Sequence, residues 1–434
     1  MTKRDKAWEK VFAAKAVLRD VKKNGFFDIS ASSLKKCTGE EPRLLAKWDN
    51  SDEIPEIFRK NRLGILPLST REYRIADFQI FHTLEKQNGK TMRDVCHLSP
   101  PAWAETLSPT WFSRSEAILL SACYASGVFN DFFELADAEI WPTVSGRLRA
   151  DNLEFDVYTH SAKRQHVVAA NPQFEIDAGF ESEQNVFLVE AKNRYCEDFN
   201  IRQLYIPWRY IKEQIPHKPI YPIFLMSHNG VITLYKYEFS IPDQFNSLLF
   251  KKMKRYSLFD YKLTLANMQD IAKATRSCLR KGFSSDVVFP QADNFELVIK
   301  LGELLADVTK DISDVEVLEE YVPRQWDYYA QAARFLGLVE KQKGKYVLSD
   351  LGKKLFTADL NTRVCGIIKT MFHSRVMKMT FEKTIMNGGK EPNKDEIAQW
   401  IIEDGWSLGM TTAKRRASTV QAWNRWVFSQ RTED

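Results

Sequence analysis

The most informative segment of the chain is Asn185-Val186-Phe187-Leu188-Val189-Glu190-Ala191-Lys192-Asn193. Its apolar part is short and rich in β-branched residues, which is typical of a strand covered on both faces, yet the stretch ends in polar residues. Because side chains alternate along a strand, Glu190 and Lys192 point to one face and Ala191 points to the other. The sequence therefore predicts an acid and an amine together on a buried strand.

A second acidic cluster precedes this strand, at Glu175-Ile176-Asp177. Residues 174–180 read as a strand, and residues 181–185 are polar enough to form the turn between the two strands. Such a hairpin brings Asp177 beside Glu190, where two buried carboxylates repel each other unless a cation lies between them. Magnesium suits that position, because it binds a few carboxylate oxygens together with waters and phosphate. The alternative is an ordinary salt bridge between Lys192 and either acid at the end of the strand.

On these residues, about residues 110–245 of the chain resemble the PD-(D/E)XK nuclease superfamily and, within it, the type II restriction endonucleases. The resemblance implies that Asp177 and Glu190 hold Mg²⁺, with the Ala191 carbonyl as a further ligand, and that Lys192 orients or activates the attacking water. The chain departs from the family name at Ile176, where that name has a proline. The residues leave open whether Lys192 is a fixed positive charge or, with a pKa lowered by burial, a general base.

Many members of that superfamily carry a supporting glutamine on the next helix, and Gln203 is the matching residue here. The resemblance implies that Gln203 contributes to the catalytic site. A surface glutamine on an amphipathic helix is an equally good interpretation. Pro207 is expected either to kink this helix or to mark its start.

The surroundings of the two acidic clusters predict the order of elements in a nuclease core. The expected elements are a helix over residues 113–135, strands over 153–159 and 165–169, the two motif strands, a helical crossover to 214, and strands over 220–226 and 231–239. The last two flank the turn Ser227-His228-Asn229-Gly230. Arg147 is a candidate phosphate contact, with an ordinary loop arginine as the alternative. Glu116, on the leading helix, is expected to face solvent rather than the metal.

The composition limits the class of protein. The 434 residues exceed a usual single domain, and the formal charge of +5 permits nucleic-acid binding without arguing for it. No signal peptide pattern opens the chain, no apolar run reaches the length of a membrane span, and the six cysteines form no C-x-x-C pair. We therefore expect a cytoplasmic protein with reduced thiols and no membrane contact.

The chain divides into three expected regions, over residues 1–107, 108–260 and 261–434. The predicted fold class is a multidomain α/β (α+β) protein, with a restriction-endonuclease-like mixed-sheet core and mainly helical, winged-helix-like flanks. In the first region, residues 6–23, 28–36 and 42–47 read as helices. These helices are compatible with a helix-turn-helix and equally with an ordinary small helical domain.

The C-terminal region carries two patterns that suit DNA binding. A helix over residues 325–338, a short hairpin and a capped helix resemble a winged helix, and Lys341, Lys343 and Lys345 near the hairpin tip suit phosphates. The last helix, over residues 411–428, carries side chains able to contact phosphates or base edges. These candidates are Lys414, Arg415, Arg416, Thr419, Gln421, Asn424 and Arg425. The solvated basic face of an ordinary amphipathic helix is the alternative.

A nuclease-like core beside DNA-binding-like flanks predicts sequence-specific, Mg²⁺-dependent cleavage of double-stranded DNA to 5′-phosphate ends. The type II resemblance implies a restriction-modification system, in which a cognate DNA methyltransferase acts on the same site. A palindromic target would favour a homodimer with one site for each strand. The alternatives are a modification-dependent or repair nuclease of the same fold, and a DNA-binding regulator without activity.

Overall fold

The computed structural model describes residues 2–85, 91–108, 115–135, 139–306 and 326–433. Helices and strands both contribute substantially to these residues, so the fold is mixed α/β, as predicted at that level. The finer assignment, a restriction-endonuclease-like core with winged-helix-like flanks, stays a prediction. Residues 113, 114 and 325, where two of the predicted helices begin, lie outside the described residues. None of the helices in the described ranges is both long and apolar enough to cross a membrane.

The N-terminal region combines helices with a small sheet. Its helices are α1 (Lys3–Ala14), α2 (Val17–Asn24), α3 (Ala31–Thr38), α4 (Pro42–Ala46) and α5 (Glu56–Lys60), and its strands are β1 (Phe26–Ser30), β2 (Gly64–Pro67) and β3 (Glu72–Ala76). The strands pair antiparallel in the order β1-β3-β2. Trp8, Trp48 and Phe58 are completely buried and form the centre of this region's core.

Two helix predictions for this region are wrong. The helix predicted over residues 6–23 is interrupted at Lys15, where the backbone is extended. Asp28 lies in β1, and the next helix begins only after Ser30, whose Oγ accepts a hydrogen bond of 3.1 Å from Ser33 N. Beside the expected helices, three short strands supply part of the core of this region.

The central region is built around a seven-stranded sheet. Its helices are α6 (Glu116–Ala125), α7 (Val128–Phe133) and α8 (Arg202–Gln214). The strands of the region are β4 (Phe81–Thr83), β5 (Cys96–His97), β6 (Trp141–Pro142), β7 (Gly146–Arg149), β8 (Leu153–Tyr158), β9 (Arg164–Ala169), β10 (Gln173–Ile176), β11 (Ala178–Glu181), β12 (Val186–Lys192), β13 (Asp198–Asn200), β14 (Ile220–His228), β15 (Val231–Phe239) and β16 (Leu248–Ser257). The large sheet has the order β5-β16-β15-β14-β12-β11-β6, with β12/β14 and β16/β5 parallel and the other pairs antiparallel.

Strand β12 lies inside this sheet and is buried on both faces. Phe187, Val189 and Ala191 belong to the core formed with α6 and α7, whereas Val186 and Leu188 belong to the core formed with α8. This alternation follows from the period of a strand. The polar end of β12 consequently meets the first turn of α8, because α8 is the crossover that connects β12 to the parallel strand β14.

The predicted hairpin that carries the acids is confirmed, with one correction. Strands β11 and β12 pair antiparallel, and Ala178 lies opposite Val189. Residues 174–180 are not one strand, however, because the chain bends at Asp177. Before the bend β10 pairs with β7, and after it β11 joins the large sheet. The bend therefore places Asp177 between two sheets.

Two further local predictions can be compared with the structure. The tight turn between β14 and β15 is confirmed: Asn229 and Gly230 have φ of 48° and 74°, and two successive positive φ values fit the right-handed twist of a hairpin. Helix α8 begins at Arg202 and continues through Pro207, so this proline does not mark the helix start.

Strands β4 and β5 pair with the central region rather than with the N-terminal sheet. Strand β4 pairs with β13, and β5 pairs with β16 at the edge of the large sheet. Part of the segment assigned from sequence to residues 1–107 therefore packs with the core.

The C-terminal region is mainly helical. Its helices are α9 (Leu265–Ala274), α10 (Phe295–Ala306), α11 (Trp326–Phe335), α12 (Asp350–Phe356), α13 (Leu360–His373), α14 (Arg375–Met386), α15 (Lys394–Glu403) and α16 (Met410–Ser429), and its strands are β17 (Val339–Gln342) and β18 (Lys345–Leu348). The predicted succession of helix, hairpin and helix is present as α11, the antiparallel pair β17-β18, and α12. Whether these elements form a winged helix stays a prediction.

Candidate active site

Asp177 and the end of β12 are brought together by the pairing of β11 with β12. The pairing ends at Ala178 opposite Val189, so Asp177 and Glu190 are the next residues along the two strands. Asp177 Oδ2 accepts a hydrogen bond of 2.8 Å from Ala191 N, so the carboxylate is tied directly to the backbone of β12. The bend at Asp177 thus fixes one acid beside the other.

Glu190 is the centre of a small hydrogen-bonded cluster. It is 8% exposed, and its Oε1 accepts hydrogen bonds of 2.6 Å from Lys192 Nζ and 2.5 Å from Gln203 Nε2. Gln203 lies in the first turn of α8, and its own Oε1 is buried without a hydrogen-bond partner within the described structure. An unpaired buried acceptor costs on the order of 1–3 kcal/mol, a cost often found where a site gains a partner on binding.

The two carboxyl groups resist ionisation in this environment. Burial is the main cause that raises the pKa of Glu190 to about 7, and the nearby Asp177 and Asp49 add to it, against the opposing effect of Lys192. Burial also raises the pKa of Asp177, and Glu116 and Glu175 contribute, although the bond from Ala191 N acts in the opposite direction. The carboxylates at the end of β12 therefore repel one another, and a bound cation would relieve that repulsion.

Lys192 is held in its charged form. Burial by itself would lower the pKa of Lys192, but the neighbouring carboxylates of Glu190, Asp49 and Glu116 outweigh burial and raise it. The net direction argues for a permanent ammonium at this position. An amine that keeps its proton at neutral pH is poorly suited to act as a general base.

Glu116 does not simply face solvent, so that expectation is wrong. It lies in the first turn of α6, is partly buried, and its Oε1 accepts a hydrogen bond of 3.2 Å from Asn193 N. Its charge acts on both Asp177 and Lys192. The sequence supplied a signal, an acid at the start of the helix that precedes the motif strands, but not the tertiary contact.

The residues present fit a magnesium ion. Each acid accepts hydrogen bonds through one oxygen, Asp177 through Oδ2 and Glu190 through Oε1. Asp177 Oδ1 and Glu190 Oε2 make no hydrogen bond within the described ranges. Among the described residues, no three His, Cys, Asp or Glu side chains form a ready-made metal site. Two carboxylates suffice for magnesium, which usually keeps several waters and binds substrate phosphate. The Ala191 carbonyl as a ligand stays a prediction.

The candidate phosphate contacts lie in different parts of the chain. Arg147 is exposed on β7, and its Nη2 lies 3.7 Å from Glu175 Oε2, two residues before Asp177. In the hairpin β17-β18, Lys341 and Lys343 are exposed and Lys345 is partly buried. Among Arg147 and the three hairpin lysines, Arg147 is thus the residue that contacts the acidic segment Glu175-Ile176-Asp177.

The candidates on α16 are mostly engaged in contacts within the protein. Thr419 and Asn424 are buried and bond to Asp293 and to Thr384 and Glu391. This placement does not fit the base-reading role predicted for Thr419 and Asn424.

The other α16 candidates differ in exposure. Arg416 and Gln421 are partly buried and donate to Gln291 and to the Pro392 carbonyl. Lys414, Arg415 and Arg425 are exposed; Lys414 pairs with Asp395 and Arg425 with Glu391. The three exposed cations are the α16 candidates that stay available as predicted DNA contacts.

Family models match three successive parts of the chain. Residues 5–75 are similar to Domain of unknown function (DUF6996), residues 76–257 to Domain of unknown function (DUF6997), and residues 297–432 to Domain of unknown function (DUF7226). Searches of curated proteins and of solved structures find no match. Asp177, Glu190 and Lys192 lie in the second matched part, whereas Asp49 lies in the first. The carboxylates that raise the pKa of Lys192 therefore come from two of the three matched parts.

Proposed function

We propose that this chain is a Mg²⁺-dependent DNA endonuclease of the type II restriction class, with a PD-(D/E)XK-like centre. The observation that carries the proposal is the cluster at the end of β12, where Asp177 Oδ2 meets Ala191 N at 2.8 Å and Lys192 Nζ meets Glu190 Oε1 at 2.6 Å. Burying two acids and an amine at the end of one strand is unfavourable unless the groups pair with one another or gain a ligand.

Each residue of the cluster has a defined task in this proposal. Asp177 and Glu190 would hold the ion, and Gln203 would orient Glu190 through its amide. When bound, magnesium polarises a phosphoryl oxygen and lowers the pKa of a water. Lys192 would supply a fixed positive charge towards the negative charge that develops on the phosphate during hydrolysis. Of the two roles left open by the sequence, the raised pKa of Lys192 favours this one over the general base.

The proposed substrate is double-stranded DNA. Exposed cations on β7, on the hairpin β17-β18 and on α16 support it, since phosphate contacts position a protein on a duplex. A palindromic target cut on both strands would engage two copies of the chain, one for each strand. A cognate methyltransferase would then protect the same sequence without binding this protein.

The test is incubation of the full chain with a panel of methylated and unmethylated DNAs, in magnesium and in EDTA. We expect discrete fragments with 5′-phosphate ends in magnesium alone. Cleavage restricted to methylated or damaged DNA would instead assign a modification-dependent or repair nuclease. Specific binding without cleavage of any substrate would refute the nuclease proposal and identify a DNA-binding regulator.

A further inference from the structure

The strand that leads into Asp177 forms a two-stranded ribbon with β7, separate from the large sheet. The two strands pair antiparallel, with Gln173 opposite Arg149 and Glu175 opposite Arg147. Because alternate residues of a strand share a face, these four polar side chains lie on one face of the ribbon. That face begins two residues before the proposed metal ligand.

The other face of the ribbon is fixed to the core. Phe174 and Ile176 are buried there, and the centre of the Phe174 ring lies 5.2 Å from that of the Tyr210 ring on α8. The polar face, by contrast, is exposed. Arg149 and Gln173 make no side-chain hydrogen bond or ion pair within the described ranges. The ribbon therefore presents two unpaired polar side chains from strands that are packed on the core.

The dimensions of the ribbon suit the major groove of duplex DNA. That groove is about 12 Å wide and admits a two-stranded β-ribbon. Gln173 precedes Asp177 by four residues, so the extended chain places the two no more than about 14 Å apart. With a phosphate at the proposed centre, the adjacent groove is therefore within reach of the outer pair, Gln173 and Arg149.

The side chains on this face suit base edges better than phosphates. An arginine guanidinium can bond to two acceptors of guanine, O6 and N7, and a glutamine amide can bond to N6 and N7 of adenine. Glu175 would repel a phosphate, but in the groove a carboxylate can accept from the amino group of cytosine. Arg147, whose Nη2 lies 3.7 Å from Glu175 Oε2, partly neutralises that acid and stays the candidate phosphate contact. Arg149 and Gln173 are therefore the residues of the ribbon that are free to read bases.

We propose that the ribbon of β7 and β10 enters the major groove beside the cleaved phosphate, where Arg149 reads a guanine and Gln173 reads a nearby adenine. The inference rests on the proposed function, since it takes the position of the DNA from the centre at Asp177. One strand then leads from a base-reading residue directly to a metal ligand, so the distance between the recognised bases and the cleaved bond is fixed by the ribbon.

Selection of duplexes from a random-sequence DNA library, with the full chain and without divalent ions, tests the inference independently of cleavage. The wild type should enrich one sequence, and changing a single contacted base pair in it should weaken binding roughly tenfold or more. Arg149→Lys keeps the charge but not the forked geometry, so it should lose a preference for guanine at one position, and Gln173→Ala should lose a preference for adenine. Both variants should bind an unrelated duplex within about twofold of the wild type. The control Arg164→Ala, at an exposed arginine on β9, should keep every preference.

The groove is tested with 7-deazaguanine, which lacks the N7 acceptor in the major groove. This base in the selected sequence should weaken binding of the wild type but not of Arg149→Ala. Equal weakening of both proteins would contradict the placement of Arg149 in the major groove and overturn the inference.

The outcomes separate this inference from the proposed function. Unchanged preferences in both Arg149→Lys and Gln173→Ala would overturn the inference even if the protein cleaves DNA, and so would a wild type that enriches no sequence. Lost preferences in these variants, in a protein that cuts no DNA in magnesium, would uphold the ribbon as the base reader and reject the nuclease proposal.

Discussion

Gln203 Nε2 lies 2.5 Å from Glu190 Oε1 and thereby joins the first turn of α8 to the end of β12. The contact is possible because α8 starts at Arg202 and runs unbroken through Pro207. Glu190 is almost completely buried, so its oxygens have few alternative partners. The amide therefore holds Glu190 Oε1 against the start of α8.

Replacing Gln203 with Leu should impair the proposed centre while preserving the fold. We expect kcat to fall by about tenfold, because Glu190 loses the donor that orients it. Stability should change little, since Leu also removes the buried, unpaired Oε1. Steady-state kinetics and thermal melting measure the two effects. Gln214→Leu, on the exposed end of the same helix, is the control; equal activities of the two variants would contradict the assigned role of Gln203.

Removing the charged groups of the cluster should separate cleavage from DNA binding. Lys192→Met and Asp177→Ala should each lower magnesium-dependent cleavage by at least roughly 10²–10³-fold, because they remove transition-state charge stabilisation or a metal ligand. DNA affinity measured without divalent ions should change little. Lys252→Ala is the control: Lys252 lies on β16 of the same sheet and pairs with Glu134, and this variant should retain cleavage. Retained cleavage in both site variants would reject the site.

His228 forms two ion pairs that join the central region to the C-terminal region. Its Nδ1 lies 2.9 Å from Glu303 Oε2 and its Nε2 lies 2.8 Å from Glu296 Oε2, both on α10. Arg363 pairs with Glu303, and the Tyr195 ring packs against the imidazole. Burial opposes protonation, but the two carboxylates outweigh burial and raise the pKa of His228 to about 9.

The ion pairs of His228 predict that the free energy of unfolding declines at alkaline pH. Because the pKa of His228 in the folded protein exceeds its ordinary value of 6.5, the stabilisation is complete below that value and is lost as the pH rises through about 9. His228→Gln should lower the free energy of unfolding near neutral pH by on the order of 2–3 kcal/mol and flatten its decline towards about pH 10. Denaturant unfolding across this range, with the exposed His166→Gln as control, provides the measurement. Identical pH profiles for wild type and His228→Gln would contradict it.

The hairpin β17-β18 predicts an electrostatic contribution to DNA binding. Lys341 and Lys343 are exposed, and Lys343 has a φ of 49°, a conformation that Asn tolerates. The double change Lys341→Ala with Lys343→Asn should weaken DNA binding and reduce the slope of log Kd against log salt by roughly 2, if both lysines contact phosphates. Fluorescence anisotropy at several salt concentrations measures the slope. The control is the double change Lys262→Ala with Lys273→Ala, which removes two exposed lysines elsewhere. An equal change in slope for this control would contradict a specific role of the hairpin lysines.

The sequence pattern was sufficient to predict a strand or a turn when the residues that define it are close neighbours in the chain. The apolar run before Glu190 predicted β12, the polar residues after Phe180 predicted its hairpin with β11, and Asn229-Gly230 predicted the turn after β14. In these cases the period of the strand and the backbone preference of the turn residues act between near neighbours. The N-terminal sheet was not predicted because its strands are short and their buried side chains belong to a core formed with Trp8 and Phe58, which lie elsewhere in the chain.

The sequence alone was enough to predict that Glu190 and Lys192 share one face of a buried strand and that a hairpin brings Asp177 near them, because strand alternation and hairpin register are local properties. Tertiary packing was needed to show that Gln203 bonds to Glu190, that Glu116 bonds to Asn193 N beside Lys192, and that Thr419 and Asn424 lie inside the protein. Those contacts join residues that are far apart in the chain and become neighbours only in the folded protein. No spacing in the sequence records the distances that set these contacts.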